Sequence, residues 1–395
     1  MSSLDTIPFH PVTLEDRPIL ESFYEINPYL SCDYTFSNLI GWNHVYRTEV
    51  AVHKGFLLIR FWNEDNKRHA YLMPVGPDDS RLREVLLDME QDQAQLEEKN
   101  LTIMGATPEA VETLGTIHPD QMVTLANRDY SDYIYLREKL ASLSGKKLQS
   151  KRNHCNRFER TYPDWSYEEI TEESLRECME VENEWYRETD TTEGMSDERR
   201  MIRFALEHMS EIGLSGGLLR VEGKVIAFTL GMPQSARCFD VNIEKADVAY
   251  DGAFTMINRE FVRRIPEKYT YVNREEDMGL EGLRKAKLSY KPEILLDEYT
   301  VVLNLLSVST RMTPRTGCFA RSFSPSSRRL LARRGSPTMS WLWSTSMMAS
   351  TPFSCVRATG RPLRWRLWWI MSTPPPVAGR TSTALRQGGS VGVRG

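Results

Sequence analysis

Between Val50 and Trp62 large apolar residues crowd both sides of a Lys54-Gly55 turn, the pattern of a hairpin with strands Val50–His53 and Phe56–Trp62. Ile7–Val12 and Ala70–Pro74 read as further strands, and Thr13 with Asp16 is an N-cap pattern for a helix over Leu14–Tyr24. Over Ser80–Glu98, Leu82, Val85, Leu86, Met89 and Leu96 recur at helical spacing. Leu101–Met104, Gly105–Pro108 and Glu109–Leu114 give strand, turn and helix, and the segment Asn127–Tyr135 crosses into a helix over Leu136–Leu143. The later half uses the same vocabulary. Strand Trp165–Ile170 precedes helices Glu172–Thr189 and Asp197–Ile212, then a hairpin of Gly217–Val221 and Lys224–Gly231 about Glu222-Gly223. Strand Ala236–Ile243, with Asp240 and Asn242 on one face, leads to helix Ala253–Ile265 and strand Tyr269–Asn273. Strands interleaved with helices in this way predict an α/β protein with mixed sheets.

Three stretches break the regular pattern. Asn273 runs straight into Arg274, Glu275, Glu276 and Asp277, four charges where a buried strand would end. Leu283, Ala286 and Tyr290 then share a helical face, opposite Arg284, Lys285, Lys287 and Lys291, before Pro292 and a strand at Ile294–Leu296. This stretch is either a polar pocket at a strand end or a solvated loop with a surface helix. In the block Gly145–Arg160, a helix puts Lys147, Lys151 and His154 on one face and turns Leu148, Cys155 and Phe158 away. Such a concentration of charge attracts phosphate, whether of RNA, a lipid head group or coenzyme A, unless it is a solvated face. His154 has no plausible metal-ligating neighbour. The third stretch, NPYLSCDYTFSNLIGWNHVY at Asn27–Tyr46, is dense in aromatics, which either stack a base or close the core beneath a loop.

Charge then divides the chain. After Glu298 there is no Asp, Glu or Lys, and the remaining 97 residues hold 14 Arg and five of the nine Trp. Residues 1–298 consequently carry 36 basic and 54 acidic side chains, a net of −18. The tail shows no period of 2 or 3.6 and is studded with Pro, so it reads as out-of-frame translation or a low-order Arg/Ser/Pro/Trp-rich segment. The six Cys form no CxxC pair, the usage of a reduced cytosolic protein, and no metal site is expected. The N-terminus lacks a basic and apolar leader, and no run of eighteen apolar residues exists.

Four ordered motifs carry a resemblance: DYTFSNLIGWN at Asp33–Asn43, NRDYSDYIYLREKLASLSGKK at Asn127–Lys147, GKKLQSKRNHCNRFE at Gly145–Glu159, and NREEDMGLEGLRKAKLSYKP at Asn273–Pro292. Over roughly residues 7–300 the chain resembles the phosphatidylglycerol lysyltransferase C-terminal-domain-like family, which is similar to the Fem peptidyltransferases. The resemblance implies two tandem GNAT-type acyltransferase domains, set here at 1–135 and 136–303, with 304–395 as the tail. It implies transfer of an aminoacyl group from aminoacyl-tRNA to an amine or hydroxyl, such as a lipid head group or peptide, without a covalent enzyme intermediate. Asn273 and Lys287 are then the expected oxyanion donors, and Glu275 or Asp277 the group that orients or deprotonates the acceptor. Lys147, Lys151, Arg152, Asn153, His154, Asp240, Asn242, Arg274, Lys285 and Tyr290 are the expected donor- and substrate-binding residues. Coenzyme A-binding relatives carry a glycine-rich turn before the helix at Ala253, where this chain has EKADVAYDGAF; Asp251 there opposes pyrophosphate. Acetyl-CoA is therefore the weaker donor. Two rivals stand beside this reading: an acetyl-CoA-dependent N-acetyltransferase, and a non-catalytic binder of tRNA or anionic lipid. The expected place is the cytoplasm, or the inner face of a membrane as a peripheral protein.

Overall fold

The computed structural model describes residues 6–303, apart from 65, 78, 99, 120 and 188–192; the expected tail, 304–395, lies outside the described residues. The first half lays down β1 (His10–Pro11), α1 (Arg17–Glu21), α2 (Phe36–Gly41), α3 (Asn43–Tyr46), β2 (Glu49–His53), β3 (Phe56–Asn63) and β4 (Arg68–Tyr71). It continues with α4 (Leu82–Gln95), β5 (Leu101–Ala106), α5 (Pro108–Ile117) and β6 (Met122–Ala126). After β7 (Asp132–Leu136) come α6 (Arg137–Ser142), α7 (Gln149–Thr161), β8 (Ser166–Glu169), α8 (Glu172–Arg187), α9 (Glu193–Glu207) and α10 (Met209–Ile212). The remainder is β9 (Ser215–Val221), β10 (Lys224–Pro233), β11 (Cys238–Ala246), α11 (Ala253–Arg264), β12 (Tyr271–Asn273), α12 (Glu281–Ser289), β13 (Ile294–Leu296) and β14 (Tyr299–Leu303).

These strands form two seven-stranded mixed sheets, in the orders β1-β2-β3-β4-β5-β14-β6 and β8-β9-β10-β11-β12-β7-β13. Read in those directions, both sheets have three antiparallel pairings, one parallel pairing and two more antiparallel ones. The fold is thus an internal repeat with an exchange. After β6 the chain crosses to put β7 in the second sheet, and after β13 it crosses back to put β14 in the first, between β5 and β6. A boundary at 135/136 therefore falls inside a strand of the second sheet, and the end of the expected second domain completes the first. The hydrophobic ladder of β14 explains its place: Val301 and Leu303 are fully buried with Ile103, Val85, Leu86 and Leu114.

A shared core joins the halves. Leu57, Ile59, Phe61 and Leu72 of the first sheet and Leu218, Phe228, Leu230 and Ile243 of the second meet one cluster with Phe36, Leu39, Trp42, Met201 and Leu206. The aromatics of the Asn27–Tyr46 stretch thus largely close a core: Phe36 and Tyr46 are buried on α2 and α3, Trp42 at the junction of the two, and Tyr34 in a 3-10 turn before them. On the far face of the second sheet, Leu148, Cys155 and Phe158 of the basic block pack with Met256, Ile257 and Phe261 of α11. The face assigned to that block from its periodicity is the one the structure buries.

Candidate functional site

The second sheet opens where β11 and β12 part. Their parallel pairing runs from Cys238–Tyr271 to Asp240–Asn273, after which β11 continues to Ala246 paired with β10 on its other side. Across from it, Gly231 of β10 faces two residues of β11, Val241 and Asn242, in a bulge. Gly231 is required there, because a Cβ would sit 2.4 Å from the carbonyl oxygen of Asp240. The bulge divides the polar side chains of β11. Asp240 and Asn242 reach Thr35 and Asn38 beside α2, while Glu244 reaches Asn258 of α11 and Arg274.

The charge run after β12 goes inside. Asn273, Arg274, Glu275, Glu276 and Asp277 are 0, 0, 1, 6 and 0 % exposed, so the solvated-loop reading fails. β12 lies between β11 and β7, and the chain leaving it passes under Leu30–Asn38 of the first half. Glu275 is held at φ 58°, a left-handed conformation costing a non-glycine residue about 1–3 kcal/mol. Its N–H donates to Asn273 Oδ1 at 2.7 Å, and its Oε1 accepts from Asn38 Nδ2 at 3.0 Å. Lys287, fully buried, donates to the carbonyls of Arg274 (2.6 Å) and Glu276, which fixes the turn. Burial lowers the Lys287 pKa, against the pull of Glu276 and Glu275 upward.

Three polar clusters result. The first gathers carboxylates from distant parts of the chain. Asp132, at the start of β7, accepts from Cys32 N (2.8 Å), Cys32 Sγ (3.1 Å) and Asn273 Nδ2 (2.7 Å). Burial raises its pKa beyond what the Asn273 and Cys32 hydrogen bonds recover. Burial likewise lifts Glu298 well above the carboxylate range, with Asp33 and Asp132 adding to it. Cys32, Asp132 and Glu276 present donor atoms within 4.8 Å of one another, a spacing able to hold a small cation. Asp240 and Glu275 border the same region through Asn38 and Asn242. A cavity of about 20 Å³, lined by Asp33, Asn38 and Trp42, adjoins it and has room for about one water.

The second cluster sits where β11 and β12 diverge. Arg274 pairs with Glu244 at 3.3 Å and lies over the rings of Tyr290 (4.6 Å) and Tyr135 (5.7 Å). Lys151 reaches down from α7 to 4.0 Å above the same Tyr290 ring. Burial, then the nearby Arg274 charge, bring the Lys151 pKa down to about 8, with Glu244 opposing. Tyr290 donates to Thr255 Oγ1 at 3.4 Å.

The third cluster is self-sufficient. Asp277 accepts from Arg284 (2.8 and 2.9 Å), Arg128 (3.3 Å), the Gly279 N–H (2.9 Å) and the Tyr133 hydroxyl. Burial alone would raise its pKa, but the Arg284, Tyr133 and Gly279 bonds outweigh burial and hold it lowered. A carboxylate so engaged is a poor proton acceptor.

The expected site residues are therefore partly united. Asn273, Glu275, Asp240 and Asn242 meet in one cluster, and Arg274, Tyr290 and Lys151 in another. Asn273 and Lys287, expected as oxyanion donors, spend hydrogen bonds on Leu30, Asp132 and the turn carbonyls. Arg152 donates to the carbonyls of Leu143 and Gly145 (2.7 Å to the latter), which ties α7 to the end of α6. His154 bonds Arg157 through Nδ1 at 3.2 Å, and its pKa is lowered by burial, Lys151 and Arg157. Lys147, Asn153 and Lys285 are exposed and join no cluster. Sequence reasoning assigned no role to Cys32, Asp132, Glu244, Glu276 or Glu298. Cys32 lies just before one family-like motif, Asp132 and Glu276 lie within others, and nothing in local spacing links them.

The turn before α11 is covered. A Cβ on Gly252 would come within 3.1 Å of the His154 carbonyl oxygen, and Arg157 contacts Asp251. α7 thus packs against the turn that precedes α11. A separate cleft of about 310 Å³, lined by Tyr167, Leu214, Phe261 and Arg264, contains none of the expected site residues.

No helix among the described residues is long and apolar enough to cross a membrane. The structure of a conserved protein of unknown function from Bacteroides thetaiotaomicron is 45% identical, with a TM-score of 0.72, covering 75% of this chain and 99% of that one. L-PGS from Bacillus licheniformis shares the fold at 16% identity and a TM-score of 0.52, over 73% of this chain and 92% of its own. An uncharacterised protein of Mycoplasmoides gallisepticum is 26% identical over 180 residues, 45% of this chain; the match spans only 58% of that curated relative. The family model for the C-terminal region of phosphatidylglycerol lysyltransferase matches residues 25–302, most of the chain, so this acyltransferase-like protein belongs to that family.

Proposed function

We propose that the chain transfers an aminoacyl group from aminoacyl-tRNA to an amine or hydroxyl acceptor, such as a lipid head group or a peptide. The observation that carries this reading is the buried group of carboxylates Asp132, Asp240, Glu275 and Glu276 between the two halves. A concentration of negative charge out of water suits a cationic group, and an aminoacyl ester carries an ammonium beside its reacting carbonyl. Outside it, exposed Lys146, Lys147, Arg157 and Arg160 line α7 and the turn before it, a basic strip suited to backbone phosphate. In the step proposed, the acceptor nitrogen or oxygen attacks the ester carbonyl, the ribose–oxygen bond to that carbon breaks, and the proton passes by way of a carboxylate to the leaving ribose hydroxyl. Of the two carboxylates expected in that role, Asp277 has its pKa held down by its hydrogen bonds to Arg284, Tyr133 and Gly279, so the role is assigned to Glu275, with Asp132 in the same cluster. The α7 packing over Gly252 weighs against acetyl-CoA as donor. A cytoplasmic site of action, with the acceptor at a membrane surface, goes with this reading.

The experiment is a choice of donor. The full chain is given an amine and phospholipid mixture with either labelled aminoacyl-tRNAs or labelled acetyl-CoA. Label should move to an acceptor only from aminoacyl-tRNA, with binding that falls steeply as salt rises. Transfer from acetyl-CoA alone would replace this reading with the acetyltransferase; salt-sensitive binding without turnover would replace it with a non-catalytic binder.

A further inference from the structure

The cleft of about 310 Å³ beside the last turn of α11 takes no part in the transfer reading. Its size is that of a small-molecule site, for which about 300–1,000 Å³ is usual. It lies across β11 from the carboxylate group: Phe239 lines it, while the side chain of the next residue, Asp240, reaches Thr35 beside α2. Ile170, Leu214, Phe239, Phe261 and Ile265 give it an apolar wall, and none of the five is more than 7 % exposed. All of them belong to the two cores that flank the second sheet, so the wall is held in place from behind.

Two unlike charges line the same cleft without pairing with each other. The Arg264 guanidinium sits 3.7 Å from the centre of the Tyr167 ring, and its Nη1 donates to the Glu260 carbonyl oxygen (2.8 Å) and carboxylate (3.1 Å). Its Nε and Nη2 have no hydrogen-bond partner among the described residues, which leaves one edge of the fork open. Glu260 also binds Arg259 and Arg263; with Glu159 on Arg259, three guanidinium groups face two carboxylates and a positive charge is left over. Glu169 follows Tyr167 by two residues in β8, on the same face of the strand, and its exposed carboxylate has no ion pair or hydrogen bond among the described residues. A plain apolar anion would meet Glu169 and a plain apolar cation Arg264, whereas a molecule with both charges on an apolar body suits the whole lining. We propose that the cleft binds a free α-amino acid with an apolar side chain, leucine or phenylalanine in size. Its carboxylate takes the open edge of Arg264, its ammonium faces Glu169, and its side chain covers the apolar wall. This site is independent of the aminoacyl-transfer reading.

The test is a calorimetric titration of the full chain with L-leucine and L-phenylalanine, with no tRNA or lipid present. Saturable binding of one molecule per chain is expected from at least one of them. Leucinamide, which lacks the carboxylate, and isocaproate, which lacks the ammonium, should each bind about 10-fold or more weakly than leucine, the scale of a lost charged hydrogen bond. Arg264→Gln should weaken leucine by a similar factor, and Glu169→Gln should remove the advantage of leucine over isocaproate. Ser215 lines the cleft at an exposed position, so Ser215→Trp should fill it and abolish binding at an unchanged melting temperature. No saturable heat with either amino acid, or leucinamide or isocaproate bound as well as leucine, would overturn the proposal. So would leucine binding that survives both Arg264→Gln and Ser215→Trp unchanged. Because no charged tRNA enters the titration, its failure and a failure of the transfer assay are separate results.

Discussion

Glu275 and Lys151 show how a single side chain's surroundings set its behaviour. Glu275 combines left-handed backbone with burial, two costs that the hydrogen bond from Asn38 only partly offsets and that a structural role alone would not require. Asn tolerates that backbone better than Glu. Glu275→Asn should thus melt at or above the wild-type temperature while losing transfer activity; a variant that melts lower and stays active would make Glu275 structural. Lys151 has a folded pKa of about 8, below its ordinary 10.5. Between those values the unfolded chain binds more protons than the folded one, so stability rises with pH over that window. Lys151→Met should be less sensitive to pH between 8 and 10.5 in denaturant titrations, and an unchanged slope would contradict the burial argument. At this scale much was legible: the charge run after Asn273 is conspicuous. That it turns inward depends on Cys32, Asn38 and Asp132, from 141 to 241 residues away, which no local pattern reports.

The elements divide by length. The hairpin β9–β10 and helices α4 and α11 were legible because alternation or helical period persists over many residues. β6 was not, since five residues with two small or polar members match neither period well. The segment expected only to cross, Asn127–Tyr135, ends in β7, whose neighbours come from residues 271–296. The β11 bulge was equally invisible, though it decides which way Asp240 and Glu244 face. Gly231→Ala tests it. The added Cβ must push against the Asp240 backbone, at a cost of about 1–3 kcal/mol from overpacking, and should lower transfer as well as the melting temperature. Wild-type stability in that variant would mean that the bulge relaxes freely.

For the whole molecule, the exchange of β7 and β14 makes the halves interdependent. A chain ended after Leu303 retains β14 and should melt as the full chain does. One ended after Glu298 leaves β6 without a neighbour and exposes Leu101, Ile103 and Leu114, so its first half should lose its cooperative transition. Equal melting of the two would contradict the exchange. The same exchange explains why two tandem units came only from the family resemblance and no pattern of residues divides them: periodicity locates strands, and only tertiary pairing says which sheet each joins. It also builds the site, because β7 carries Asp132 from the end of the first half into the second sheet beside Asn273.

The central claim is that this inter-half group of carboxylates performs aminoacyl transfer. Its most direct test is the single-turnover rate of label transfer from aminoacyl-tRNA by wild type and by Glu275→Gln, each at matched melting temperature. The account predicts labelled acceptor from wild type and a loss of about 100-fold or more in the variant, the scale of a lost general base. Transfer at the wild-type rate by Glu275→Gln, or no transfer from any charged tRNA, would contradict it.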